Sequence, residues 1–352
     1  MKPVFKTIAI CGLIFLSVLT NANILRVDSN VGNGAPYTTI QAAVDAAVAG
    51  DTIQIAGGAV PYSGPTVNKQ LVFIGPGYFL GENPDTQQNK SPAKISDAFT
   101  FQAGSNGSFV MGLQFETGTY GIALQSGISN IVIKRNYFAN GSYGILFNAT
   151  SGAANSNIFV QQNYFAFSPW NHTYNYSNDA FLLNNYIGGS IDGLNNSSLT
   201  IKHNVVNVTG NAVFAGSPSN SNIQNNIFIF GTLPSATGLG LSNSFTNNLC
   251  DETIFGTADA NQASVDMSTV FVVNPVVATP AGTSTDGRWM LVGGSPAIGA
   301  GASLEDCGMF GSADPYVLSG VPPIPAIYEL IAPTSATQSG GLNINIKAKS
   351  RQ

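Results

Sequence analysis

The chain has 352 residues, of which 44% are apolar, 10% aromatic and 9% charged, and its formal net charge is −5. So sparse and acid-weighted a charge set excludes the basic footprint of a nucleic-acid-binding protein, and the apolar fraction excludes the low-hydropathy, high-charge composition of a disordered chain. With three cysteines and neither a CxxC pair nor a Cys/His cluster, a disulfide framework and a zinc site are excluded as well.

The first predicted element is an export signal. Lys2 and Lys6 precede the uncharged run 7–20, and Thr20-Asn21-Ala22 suits cleavage after Ala22. The run is short for a bilayer-spanning helix, which takes about 20 residues. Residues 1–22 therefore read as a removed signal peptide and the protein as secreted or held at the cell surface, with no integral membrane segment afterwards. Cleavage leaves 11 basic against 18 acidic residues, and Cys250 and Cys307 as the remaining cysteines, free or joined by one bridge. The remainder exceeds the usual size of a single hydrophobic core, so it forms either two domains or an elongated repeat.

Residues 37–53 read as a capped helix running into a strand. Thr38 or Thr39 is the N-cap, Ile40, Ala43, Val44 and Ala47 form the apolar stripe, and Gly50 ends the helix. Such a helix would plug the open end of a solenoid, which otherwise exposes core and unpaired strand edge.

From residue 113 onward one pattern recurs: a short apolar strand, a polar turn residue, any residue, then a large apolar residue. The turn positions are Leu113, Asn136, Asn163, Asn185, Asn204, Asn226 and Asn248, separated by 23, 27, 22, 19, 22 and 22 residues. A period in this range marks stacked solenoid repeats. Strand side chains alternate faces, so each turn residue and the residue two later (Phe115, Phe138, Phe165, Ile187, Val206, Phe228 and Cys250) point inward. Stacked asparagines would form a ladder, passing amide hydrogen bonds from coil to coil. After each turn the chain returns through a further strand, as at 121–125, 144–148, 190–192, 211–214 and 238–241, which should form a second parallel sheet. One residue after each turn lies an outward stripe, Tyr137, Tyr164, Tyr186, Val205, Ile227 and Leu249, which another segment of the protein is expected to cover.

These features predict an all-β chain: a right-handed parallel β-helix over 23–316 with an N-terminal capping helix, then a Pro-rich linker and a two-strand C-terminal tail over 317–352. In the tail, Ile327, Leu330, Leu342, Ile344 and Ile346 would pack on an outer sheet face or on the open C-terminal end.

The segment YTTIQAAVDAAVAGDTIQI, the later LVFIGPG at 71–77, the Asn-x-aromatic coils and GSPAIG at 294–299 together resemble the pectate-lyase-like right-handed β-helix superfamily over roughly residues 25–315. The closing DCGMFGSADPYVLSGVPPIPAIYEL is similar to the end of secreted Bacteroidetes β-helix proteins of unknown function. The resemblance implies a groove beside a parallel sheet, in which lyases use a Lys or Arg base, often with carboxylate-bound calcium, and inverting hydrolases use paired acids about 6.5–9.5 Å apart.

Against that implication, the acids between residues 100 and 250 are Glu116, Asp179 and Asp192, and the bases besides His172 and His203 are Lys134, Arg135 and Lys202. Asp179 and Asp192 fall on different strands of their coil. Lys134 and Lys202 occupy equivalent places with two coils between them and read as solvated charges, and His203 as a turn histidine. Asp251-Glu252 is a lone acidic pair. No catalytic residue, metal site or cofactor is assigned.

The aromatic-rich coil offers binding chemistry instead. Trp170, His172, Tyr174 and Tyr176, with the amide of Asn175, are the carbohydrate-binding candidates, since aromatic faces suit the apolar faces of sugar rings and amides suit their hydroxyls. The expected function is carbohydrate binding without cleavage, the partner being a polysaccharide or cell-surface glycan. The alternatives are a polysaccharide lyase or glycosidase whose groups come from loops, and a structural adhesin or stalk.

Overall fold

Three-residue strands rich in Val, Ile and Phe cannot bury a face alone, and in this protein each is paired in parallel with its equivalents in the coils before and after. The computed structural model describes residues 22–30, 32–149, 152–173, 179–192, 194, 198–208, 213–216, 218–230, 239, 242–335 and 341–349. The chain is a parallel β-helix. A ten-stranded first sheet runs from Ile24–Val27 to Ser244–Thr246, an eight-stranded second sheet from Lys94–Ile95 to Leu249–Cys250, and a five-stranded third sheet from Thr66–Val67 to Ser168–His172. The pair Ile191–Asp192 and Phe214–Ala215 forms a separate two-stranded parallel sheet of the coils that follow. The coils thus have three sides rather than two, because the residues just after each asparagine turn pair into a sheet of their own.

The inward residues form one continuous core, which includes Phe73, Phe99, Phe115, Phe138 and Phe165. Phe115, Phe138 and Phe165 stack in register, with centroids 4.8 and 4.5 Å apart. At the N-terminal end the helix Ile40–Ala46 closes the core with Ile40, Ala43 and Val44 buried, and Thr39 accepts from the Ala42 N–H as its N-cap. The Lys69 ammonium donates to the carbonyls of Val44 and Ala47 at 3.0 Å each, satisfying the helix C-terminus. At the other end Phe255 packs on Phe228 and Phe245, with centroids 5.0 and 4.9 Å away.

The corner between the first and second sheets carries the asparagines. Each backbone N–H from Asn136 through Asn163, Asn185, Asn204 and Asn226 to Asn248 donates to the Oδ1 of the next asparagine, ending on Asn261, at 2.8–3.0 Å. Their Nδ2 groups donate to coil carbonyls as well, as Asn185 does to Val160 O at 2.9 Å. Fully buried amides are thereby supplied with partners that water would otherwise provide.

The residue before each asparagine is left-handed: Arg135, Gln162, Asn184, His203, Asn225 and Asn247 have φ between 53° and 60°. That conformation costs a non-glycine residue on the order of 1 kcal/mol. It also turns these side chains toward a segment that the chain lays back over the coils. Residues 265–299 pass over the coils as far as the loop near Asn83 and return, and residues 300–321 then run from the C-terminal end toward the N-terminal coils, so that their contacts with the corner come in reverse order. Asn247 donates to Ala300 O at 3.1 Å, Asn225 accepts from Ala302 N, His203 meets Asp306 O, Asn184 donates to Met309 O and Gly311 O, Gln162 donates to Asp314, and Arg135 donates to Val321 O at 3.1 Å. Lys134 pairs with Asp314 at 2.7 Å. Farther along, the buried Asp286 carboxylate accepts from Asn83 Nδ2, Tyr316 OH and Ser319 N, tying the strap to the loop after Tyr78.

The strap covers the outward stripe of the second sheet. Tyr164, Tyr186, Val205, Ile227 and Leu249 are buried in a second hydrophobic cluster with Met267, Val270, Phe271, Trp289, Cys307 and Met309. Trp289 stacks on Tyr186 at 4.6 Å and donates to Tyr164 OH at 3.3 Å. Among the described residues the two cysteines are free, Cys250 in the inner core and Cys307 in this outer cluster, on opposite faces of the second sheet.

The tail forms the expected pair, Ala326–Ile331 antiparallel to Asn345–Lys349. It docks beside the loop near Gln88, whose N–H donates to Ile327 O at 2.8 Å, while Lys349 pairs with Asp85. Ile327, Leu330, Leu342, Ile344 and Ile346 remain 45–55% exposed. The C-terminal end is closed by Phe255 and the second sheet by the strap, so the tail covers neither; its start lies instead beside the outer face of the first sheet.

Candidate functional site

The third sheet carries the sequence-predicted binding residues that the structure describes, Trp170 and His172. Its strands Tyr120–Gln125, Tyr143–Asn148 and Ser168–His172 pair in a register that aligns Ile122, Ile145 and Trp170 inward and Ala123, Leu146 and Asn171 outward. Trp170 is thus a core residue, 0% exposed, with its ring edge-on to Phe147 at 6.0 Å. Its indole N–H donates to Asp192 O, one coil on, at 2.8 Å. This corrects the expectation of a sugar-stacking Trp170: alternation along its strand turns it into the core. Tyr174, Asn175 and Tyr176 lie outside the described residues.

His172 is at the half-buried end of the same strand. Its Nδ1 is 2.9 Å from Asp192 Oδ1, which also accepts from the Leu194 N–H at 2.7 Å. Asp192 is buried, and desolvation raises its carboxyl above the ordinary value, with His172 pulling the other way. The indole bond to the Asp192 carbonyl and the Leu194 N–H to its carboxylate fix this residue at both ends, so the carboxylate is positioned to orient the imidazole. An Nδ1–H directed at Asp192 leaves the Nε2 lone pair as the acceptor.

Three amides lie on the outward positions of the same sheet, Gln125 and Asn148 in register and Asn171 in register with Leu146. Asn148 aligns with Gln125, and its Nδ2 donates to Gln125 Oε1 at 3.2 Å. Asn171 accepts from the His172 N–H at 2.6 Å. All three amides are partly exposed. Amides present donors and acceptors together, which is the complement of a hydroxyl.

The other acids are not part of this site. Glu116 pairs with Lys94 at 3.1 Å on the second sheet, Asp179 precedes the first-sheet strand Ala180–Leu183, and Asp251 accepts from the Phe230 N–H. His203 belongs to the corner that holds the strap, 3.1 Å from Glu305. Among the described residues no group of three or more His, Cys, Asp or Glu could hold a metal ion, and no helix is long and apolar enough to cross a membrane. Sequence reasoning weighed His172 and Asp192 separately and missed their pairing. Their spacing of 20 residues, close to the coil period of 22, was the available signal.

No protein-family model and no curated protein matches the chain. Among solved structures it is similar to one described as the crystal structure of pectate lyase Pel9A, at 16% identity and a TM-score of 0.41, over 82% of this chain and 96% of that one. The parallel β-helix of this protein is carried by its own strand register.

Proposed function

We propose that this chain is exported on residues 1–22 and binds a carbohydrate chain, without cleaving it, along the outer side of the third sheet. The observation that carries the reading is the set of partly exposed amides Gln125, Asn148 and Asn171 on the third sheet, with the His172–Asp192 pair at its edge. Tyr174 and Tyr176, within a few residues of His172, are assigned the stacking role that Trp170 cannot take, and Asn175 a further hydroxyl contact.

A second reading, glycan cleavage, is favoured by one observation: a histidine oriented by a buried carboxylate is the arrangement of a general base. One experiment separates the two. The purified protein is applied to a panel of neutral and acidic polysaccharides, with and without calcium, and both retention and new chain ends are measured. Retention without products, weakened by Asn148→Ala and by His172→Ala, supports binding alone. Products that disappear in Asp192→Ala overturn it in favour of cleavage, and absence of both retention and products on every glycan overturns both.

A further inference from the structure

Away from the third sheet, the tail does not lie flat on the coils it crosses. Between the outer face of the first sheet, the loop 86–89 and the start of the tail is a cavity of about 410 Å³, within the range of about 300–1,000 Å³ typical of small-molecule sites. Its floor is one outward file: Arg26 is paired with Gln54, and Gln54 with Ile74. Its opposite wall comes from the tail, including Ile324 and Ile327, held in place by the Gln88 N–H on Ile327 O.

The lining selects a ligand class. No aromatic side chain lines the cavity, so it offers no stacking face for a sugar or a nucleobase. The apolar walls are branched aliphatic and proline side chains, which suit an alkyl chain. Arg26, exposed, is the only basic side chain in the lining, and among the described residues it makes no salt bridge. Asp28 also lines the cavity; its carboxylate accepts from Asn30 and Asn33 and lies within the electrostatic reach of Arg26 without a direct ion pair. A guanidinium that makes no direct ion pair, at the mouth of a mainly aliphatic cavity, keeps its donor fork for bidentate contact with a carboxylate.

We propose that this cavity binds an aliphatic carboxylate of medium chain length, its alkyl chain against Ile74, Ile324 and Ile327 and its carboxylate on Arg26. The site is independent of the carbohydrate reading and stands or falls separately.

The test is calorimetric titration of the purified protein with decanoate, and with decyltrimethylammonium as the matched cation. Decanoate should bind at one site with a negative heat-capacity change, and Arg26→Ala should weaken it by about tenfold or more. Gln54→Trp, which fills the cavity from an outward position, should abolish binding. Both positions face outward, and unchanged circular dichroism would verify that the variants fold. Absence of saturable decanoate binding, or affinity unchanged by Gln54→Trp, overturns the site. Binding that resists Arg26→Ala, or that is as tight for the cation, overturns carboxylate recognition.

Discussion

Asn184 holds Gly311 across 127 positions of chain: its Nδ2 donates to Gly311 O at 2.8 Å and to Met309 O at 3.1 Å. The same residue is left-handed, so its backbone strain and its strap bonds are a single device. Asn184→Ala keeps the strained backbone and leaves two buried carbonyls without this donor, an expected loss of roughly 2–3 kcal/mol. Asn184→Gly loses the same bonds but relaxes the backbone, and should be the milder of the two. Urea denaturation of both variants measures the difference, and equal losses would show that the corner carries no strain.

Protonation should loosen the strap at its His203 contact. Burial holds this imidazole below the ordinary histidine value, against the upward pull of Glu305. The unfolded chain therefore takes up this proton more readily than the folded one. The stability linked to His203 is fully present above about pH 6.5 and is lost as pH falls through the lower folded value. Asp192, whose folded value is raised, contributes with the opposite sign, losing stability as pH rises above its ordinary range. Denaturation midpoints at about pH 5 and pH 7.5 should differ less in His203→Gln than in the parent protein. An equal pH response in the two would remove His203 from the strap's energetics.

The two cysteines of the β-helix should be silent in the native state. Burial pushes the Cys250 thiol up to about 11 and the Cys307 thiol up to about 12, so neither supplies thiolate near neutral pH. A thiol reagent at about pH 8 should react with both only after denaturation. Rapid labelling of the folded protein, or failure to label in denaturant without reductant, would contradict two free thiols packed on opposite sides of one sheet.

Deletions should separate tail from strap. Removing residues 333–352 takes away a strand whose apolar side chains are about half exposed, and should move the melting temperature by no more than about 2 °C. Removing residues 312–352 also takes Asp314, Tyr316, Ser319 and Val321 from their buried or paired positions, leaving the buried Asp286 with Asn83 alone and Arg135 without its bond to Val321 O, and should lower it far more. Similar effects from both deletions would place the strap's hold in its earlier half.

The inward side of the coils was legible in sequence because it is periodic: an asparagine and an apolar residue two positions later recur at nearly constant spacing, and both are where alternation puts them. The strap was not legible, since Arg135, Gln162, Asn184, His203, Asn225 and Asn247 share a position but not a chemistry, and their partners lie more than 50 residues away. Polar residues at a fixed offset before each asparagine were the signal. Trp170 was misread because coil lengths vary ahead of the third sheet, which hides its register with Ile145; counting back from the sheet rather than forward from the turn would have put it inside.

A stack of coils ordinarily behaves as a row of nearest neighbours, free to fray one unit at a time from either end. The reverse-order contacts of residues 300–321 change that arithmetic. Peeling the last coil away from Asn247 would also unseat the segment that Arg135 holds far down the stack, so local opening at one end is charged against bonds at the other. The chain should therefore melt in one cooperative step across the coils the strap spans, with amide exchange in its terminal coils nearly as slow as in its middle.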